Sequence, residues 1–185
     1  MKRIVLTFGL LAGAILSVMM LVTTALIDQI DFDKGEIVGY TTMVAAFLMV
    51  FFGIRSYRDN ALNGTIGFGR AFKVGILITA LASVCYVATW EFVYYKMWPE
   101  FADKYAAHQV EKAKASGATQ QQLDARALEM AKFKELYRNP LINVAMTFVE
   151  PFPVGLVITL VCAGILSRKR REPGVAVVGR ASAAT

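Results

Sequence analysis

The sequence predicts an all-α integral membrane protein, a bundle of four transmembrane helices with an extracytoplasmic helical hairpin between the third and fourth. Three observations carry that expectation. Four long apolar runs, at about 4–27, 37–54, 74–95 and 141–167, each approach the roughly 20 residues a helix needs to cross the hydrocarbon core. Composition agrees, with 56% hydrophobic residues and a mean hydropathy of +0.50 over 185 residues. The charges flanking the runs alternate in sign, as they do when successive loops face opposite sides of a membrane. The runs are continuously apolar, without the period of two that a barrel wall requires, so each is expected to be helical.

The first run follows a basic start, Lys2 and Arg3, and contains small residues at Thr23-Thr24-Ala25. A signal peptide has a shorter apolar stretch of about 7–15 residues, so a retained anchor helix is favoured over a cleaved leader. The next loop, 28–36, is acidic, with Asp28, Asp31, Asp33 and Glu36 against Lys34. The loop after the second run is basic, with Arg55, Arg58, Arg70 and Lys73 against Asp59. Arg168, Lys169, Arg170 and Arg171 follow the fourth run. Lys and Arg concentrate in short cytoplasmic loops, which places both termini inside and loop 28–36 outside. The sides then carry 11 basic and 2 acidic residues inside, and 9 basic and 10 acidic outside. The pI near 9.4 is thereby a topology signal. The expected counter-charge is anionic lipid at the inner face and not nucleic acid.

The segment joining runs three and four, about 99–139, is the one sizeable polar stretch. Trp90, Tyr94, Tyr95 and Trp98 lead into it as an aromatic collar at the membrane–water boundary. Residues 100–115 are rich in Ala, Lys and Glu and are expected to be helical. Ser116-Gly117 is a break, and Thr119 with Gln122 forms a capping box for a second helix reaching about residue 138. On that helix Leu123, Ala127, Met130, Phe133 and Tyr137 share one face. The stripe either seals the hairpin, the favoured reading, or docks a membrane-protein partner or a second copy. His108 is read as a solvated residue. Asn139-Pro140 opens the last span, and residues 171–185 are expected to be a disordered cytoplasmic tail.

Chemistry is sparse. One His and two Cys, both Cys inside spans, exclude most zinc and haem sites, and no cofactor is expected. No phosphate loop, nucleophile elbow or paired-histidine motif is present. The remaining candidates are the intramembrane acids Glu91 and Glu150, the latter followed by Pro151 and Pro153. A charge at the helix centre costs about 2.5–3.5 kcal/mol, less near the interface, so something must offset it. Three arrangements are open. Both acids are hydrated, with Glu150 capping a helix that restarts at Pro151, the favoured reading. They hydrogen-bond one another across a helix interface. Or they line a path for a proton, cation or substrate.

Small residues recur every four positions in three spans: Gly9, Gly13, Ser17; Gly75, Thr79, Ser83; and Gly155, Thr159, Ala163. Such ridges let helix backbones approach closely in lipid. Residues 72–79 and 152–159 also resemble each other, a likeness read as coincidence within a small apolar alphabet.

One longer pattern stands out. It comprises Gly35-Glu36-Ile37-Val38-Gly39-Tyr40, Phe52-Gly53-Ile54-Arg55-Ser56-Tyr57-Arg58-Asp59 and Phe68-Gly69-Arg70-Ala71-Phe72-Lys73-Val74-Gly75. Trp90-Glu91, Tyr137-Arg138-Asn139-Pro140 and Phe152-Pro153-Val154-Gly155 follow. Over about residues 1–170 the chain resembles the DUF4199 family of bacterial membrane proteins, a domain of unknown function found largely in Bacteroidetes-type bacteria. The resemblance implies a four-helix inner-membrane protein and no activity or site. It draws attention to Arg55, Arg58, Arg70 and Lys73 as either a basic anchor or a contact for lipid or a partner. The functional expectation is a non-enzymatic interaction or assembly module. The alternative is a small transporter or ion-conducting subunit using Glu91 and Glu150.

Overall fold

The computed structural model describes residues 1–26 and 32–167, with no strand among them. Asp28 and Asp31 of the acidic loop, the basic cluster Arg168–Arg171 and the tail lie outside the described residues. Seven α-helices follow in order: α1 (Lys2–Ala25), α2 (Phe32–Ala61), α3 (Phe68–Phe92), α4 (Phe101–Ala115), α5 (Gln120–Tyr137), α6 (Pro140–Val149) and α7 (Pro151–Leu166). A single π turn, Val93–Met97, extends α3. α1, α2, α3 with its π turn, and α6 with α7 are each long and apolar enough to cross a membrane.

Helix α2 outruns its apolar stretch at both ends. Hydropathy falls at the first charges, but the backbone continues, and Asp59 accepts ion pairs from Arg55 (3.6 Å) and Arg58 (2.7 Å) on the last turns. Its end is closed by Gly64 N–H, which donates to the carbonyl of Arg58 six residues earlier at 3.0 Å. Asn63 and Gly64 take φ of 51° and 86°, the left-handed geometry that this closure requires. Arg70 and Lys73 are exposed at the start of α3.

Helix α3 is central, packing against α1, α2 and α7. The core between them holds Phe47, Val50, Ile54, Val74 and Ile78, all at 0% exposure, with Leu16 and Met43 beside them. The small-residue ridges form two of its seams. On the α1 side, a methyl added at Gly9 would fall 2.7 Å from Leu81 Cδ2, and one at Gly13 would fall 2.6 Å from Cys85 Cβ. The ridge ends in a hydrogen bond of 2.7 Å between the Ser17 and Thr89 hydroxyls. On the α7 side the hydroxyls of Thr79 and Thr159 are hydrogen-bonded at 3.0 Å. A methyl at Gly75 would meet Thr159 Cγ2 at 2.7 Å, and one at Gly155 would overlap Thr79 Cγ2. Ala163 is fully buried, and so is Ser83, whose hydroxyl has no partner.

Those α3–α7 contacts are reciprocal. Gly75 faces Thr159 and Thr79 faces Gly155, so the two similar eight-residue segments are the two sides of one crossing. Each antiparallel helix carries at this crossing the small-then-hydroxylic spacing that lets the other approach.

The polar segment folds as a hairpin. The Thr119–Gln122 capping box is formed, with Thr119 N–H donating to Gln122 Oε1 at 2.8 Å. Gly117 turns the chain at φ 79°, and Asn139 Oδ1 accepts from Leu141 N–H at 3.0 Å to cap α6. The stripe on α5 turns toward α4: Tyr137 is buried, Leu123, Met130 and Phe133 are half-buried, and Ala127 alone stays exposed. It seals the hairpin and is not a free docking face.

Candidate functional site

The hairpin and the four-helix bundle meet over a cavity. Its polar wall begins on α6, where Asn143 and Thr147 lie one turn apart on the buried face and Thr147 Oγ1 donates to Asn143 Oδ1 at 3.2 Å. One turn further, the helix breaks. Pro151 and Pro153 have no N–H to offer the carbonyls of Thr147 and Val149, so the backbone ladder is interrupted on both sides of Glu150. Glu150 ends α6 and precedes α7 as expected, but its carboxylate does not cap the new helix. Its backbone is helical (φ −71°, ψ −60°), not the extended conformation of a capping residue, and the N3 position is Pro153, which has no N–H to cap. The carboxylate instead crosses to α3, where Tyr86 Oη donates to Glu150 Oε2 at 3.0 Å.

One turn above Tyr86 on the same face of α3 is Trp90, whose indole N–H donates to Tyr137 Oη at 2.7 Å. The Trp90 ring stands edge-on to Phe101 at 4.7 Å. Trp98 is held between Phe32 (5.6 Å) and Phe101 (5.1 Å), with its indole N–H buried and unpartnered. The aromatic collar expected at the lipid boundary is therefore mostly an internal joint. Trp98 and Tyr94 are buried, and Tyr95 keeps the exposed boundary position. The chain redirects at Pro99 and lays the hairpin back over these rings. Asp33, at the start of α2, fastens the far side. Lys112 Nζ donates to it at 2.6 Å and His108 Nε2 lies 3.4 Å away. His108, expected to be solvated, is a joint residue packed 5.0 Å from the Phe32 ring.

The space, open on one side, measures about 420 Å³, within the 300–1,000 Å³ typical of small-molecule sites. Glu150, Tyr86 and Thr147 line its polar side, and Leu16, Met20, Met43 and Met146 its apolar side. Aromatic rings of α2, α3 and the hairpin complete it, and no Lys or Arg is among the lining residues. No group of three or more His, Cys, Asp and Glu side chains among the described residues converges as a metal ion would need.

Glu91 and Glu150 are not partners. Glu91 lies about 140° around α3 from Tyr86 at 100° per residue. It does not line the cavity, and its Oε1 is buried without a hydrogen-bond partner. The basic residues Arg55, Arg58, Arg70 and Lys73 sit at the opposite end of the bundle. Tyr86, Asn143, Thr147 and Tyr40, which also lines the cavity, carry no weight in the sequence reading. Two signals could have found them: polar residues at 143, 147 and 150 on one face of an apolar run, and aromatic residues at 86, 90 and 94 at helical spacing.

Four apolar helices, a covering hairpin and an internal polar cavity define a multi-pass helical membrane protein. Its family is also clear. The family model described as "Protein of unknown function (DUF4199)" matches residues 7–168, and the chain belongs to that family. No curated protein and no solved structure matches it.

Proposed function

We propose that this chain is a non-enzymatic interaction or assembly module of the bacterial inner membrane, with both termini cytoplasmic and the α4–α5 hairpin outside. The carrying observation is how the hairpin is seated. Ring packing on Trp90 and Trp98 and the Asp33–Lys112 ion pair fasten it to α2 and α3. A hairpin held at several points presents a defined surface at little ordering cost to a partner. Its outward face carries Leu128 and Leu136, exposed at 59% and 52%. The orientation rests on charge, with Arg55, Arg58, Arg70 and Lys73 at the end opposite the hairpin. Anionic lipid at the inner face fits that basic end.

Crosslinking in native membranes followed by mass spectrometry tests this reading. Intermolecular crosslinks from exposed Lys114 and Lys132, to a second copy or to another membrane protein, are the expected result. A hairpin that crosslinks only to its own chain overturns the proposal. Labelling of Ser116→Cys by a membrane-impermeant thiol reagent in intact spheroplasts checks the orientation.

A second reading, a small transporter or ion-conducting subunit, is favoured by one observation. Glu150 sits in a broken helix and faces a cavity, the arrangement that transporters use for coupling ions. In this reading the role falls to Glu150, since Glu91 lies on another face of α3 and does not line the cavity. Proton flux in proteoliposomes that disappears in Glu150→Gln would support this reading, and absence of flux in wild type would remove it.

A further inference from the structure

The cavity has a consistent chemical bias. Its acidic side chains come from two directions: Glu150 from the α6–α7 break, and Asp33 and Glu36 from the first turns of α2. Lys112 covers Asp33, and no Lys or Arg lines the cavity to compensate Glu36 and Glu150. An anionic ligand, whether phosphate, carboxylate or a lipid headgroup, meets like charge there. Much of the rest of the wall is aromatic and thioether, with threonine hydroxyls, Gln109 and His108 among them. Aromatic faces attract a cation within about 6 Å of the ring, and most strongly for Trp. Glu36 and Glu150 are both exposed, so their carboxylates are reachable by a solute. A hard metal ion is a poor fit, because oxygen ligands do not converge and the apolar side chains would strip its hydration without replacing it.

We propose that this cavity binds an organic cation, an amine or quaternary ammonium with an apolar body. Its charge lies toward Glu150 and Glu36, and its body lies against Trp90, Trp98 and Met43. Glu150 remains anchored by Tyr86 through one oxygen, leaving Oε1 for the ligand. The inference stands apart from the hairpin's role as a docking surface: a cavity ligand and a hairpin partner can be gained or lost separately.

The molecule carries its own reporter. Its only two tryptophans, Trp90 and Trp98, both line the cavity, so intrinsic fluorescence reads occupancy directly. The full chain in phosphatidylcholine nanodiscs, titrated with benzyltrimethylammonium, should give a saturable change. Benzylsulfonate, the same ring with opposite charge, should give none. Glu150→Gln keeps an acceptor for Tyr86 and removes the charge, so it should weaken the cation at least threefold, with Glu91→Gln at wild-type affinity. A second variant covers a folding failure of the first. Gly39 lines the cavity, and a Cβ there meets nothing within 4 Å, so Gly39→Phe should fill the space and abolish the response with helicity unchanged. Equal responses to the two ions, a response that never saturates, a Glu150→Gln affinity within threefold of wild type, or wild-type binding by Gly39→Phe would each overturn the proposal.

Discussion

The two ends of this bundle are built on opposite packing rules. At the end away from the hairpin, α3 lies against α7 on a ridge of glycine, threonine and alanine, and the backbones approach until an added methyl finds no room. At the hairpin end α2, α3 and the α6–α7 break carry Tyr40, Tyr86, Trp90 and Glu150 around the cavity. These side chains hold the helices apart, and the space is closed by the hairpin instead of by neighbouring backbones. Lipid supplies little hydrophobic drive for helix association, so close contact at one end is what permits an opening at the other. The comparison teaches that the ridges and the cavity are one design, a tight clamp at one end and a capped chamber at the other.

Substitutions sort by which end they attack. The largest effect is expected at the joint between hairpin and bundle. Trp90→Ala removes the bond to Tyr137 and the edge contact with Phe101, and should destabilise by about 3–5 kcal/mol, read as a lower thermal midpoint together with faster proteolysis of residues 99–139. If the hairpin stays as protease-resistant as wild type, it is not held by this joint. In the clamp, Gly155→Leu drives a branched side chain into Thr79 and Phe47. About 1–3 kcal/mol or more is expected from overpacking, and Gly39→Leu, in open space, should cost far less. Equal losses from the two glycines would erase the distinction between the ends. Thr79→Val removes the hydroxyl pair with Thr159 and keeps the shape. A loss of about 0.6 kcal/mol follows from intramembrane hydrogen bonds, measurable by steric-trap or denaturant unfolding.

The smallest effect lies on the hairpin surface. Lys134 pairs with Asp103 across the two arms and holds the Asp103 carboxyl below the ordinary carboxylate range. A depressed folded-state value means that the contribution is fully present above the unfolded value of about 3.9 and is lost as pH falls through the folded one. Amide protection factors in α4 and α5, corrected for the intrinsic exchange rate at each pH, should therefore fall slightly below about pH 4 in wild type and less so in Asp103→Asn.

Much of the fold was legible in the chain because lipid leaves so few options. A continuous apolar run of membrane length must be helical, and the capping box at Thr119, the turn at Gly117 and the Asn139-Pro140 start are local rules that need no tertiary information. Helix ends were less legible. Hydropathy marks where apolar residues stop, whereas α2 and α3 continue through charged turns that water beyond the apolar run solvates. The site was partly legible. Glu150 and its prolines stand out in any apolar run, yet Tyr86 as its partner was not legible, because spacing alone does not say which face of α3 turns inward. Tyr86 and Trp90 face α6, and Glu91, one residue on from Trp90, does not.

The sequence by itself determined four apolar helices, a polar hairpin between the last two spans, and an acid beside a pair of prolines. Those follow from hydrocarbon solvation and from the missing N–H of proline, both local properties. Only the tertiary structure decided that the hairpin folds back to cover the bundle, that the aromatic collar becomes its joint, and that Glu150 meets Tyr86 in a cavity. The physical reason is that rotation of a helix about its own axis costs nothing in the sequence pattern. It is set by which side chains interdigitate, and here the glycine ridges of α1, α3 and α7 set it.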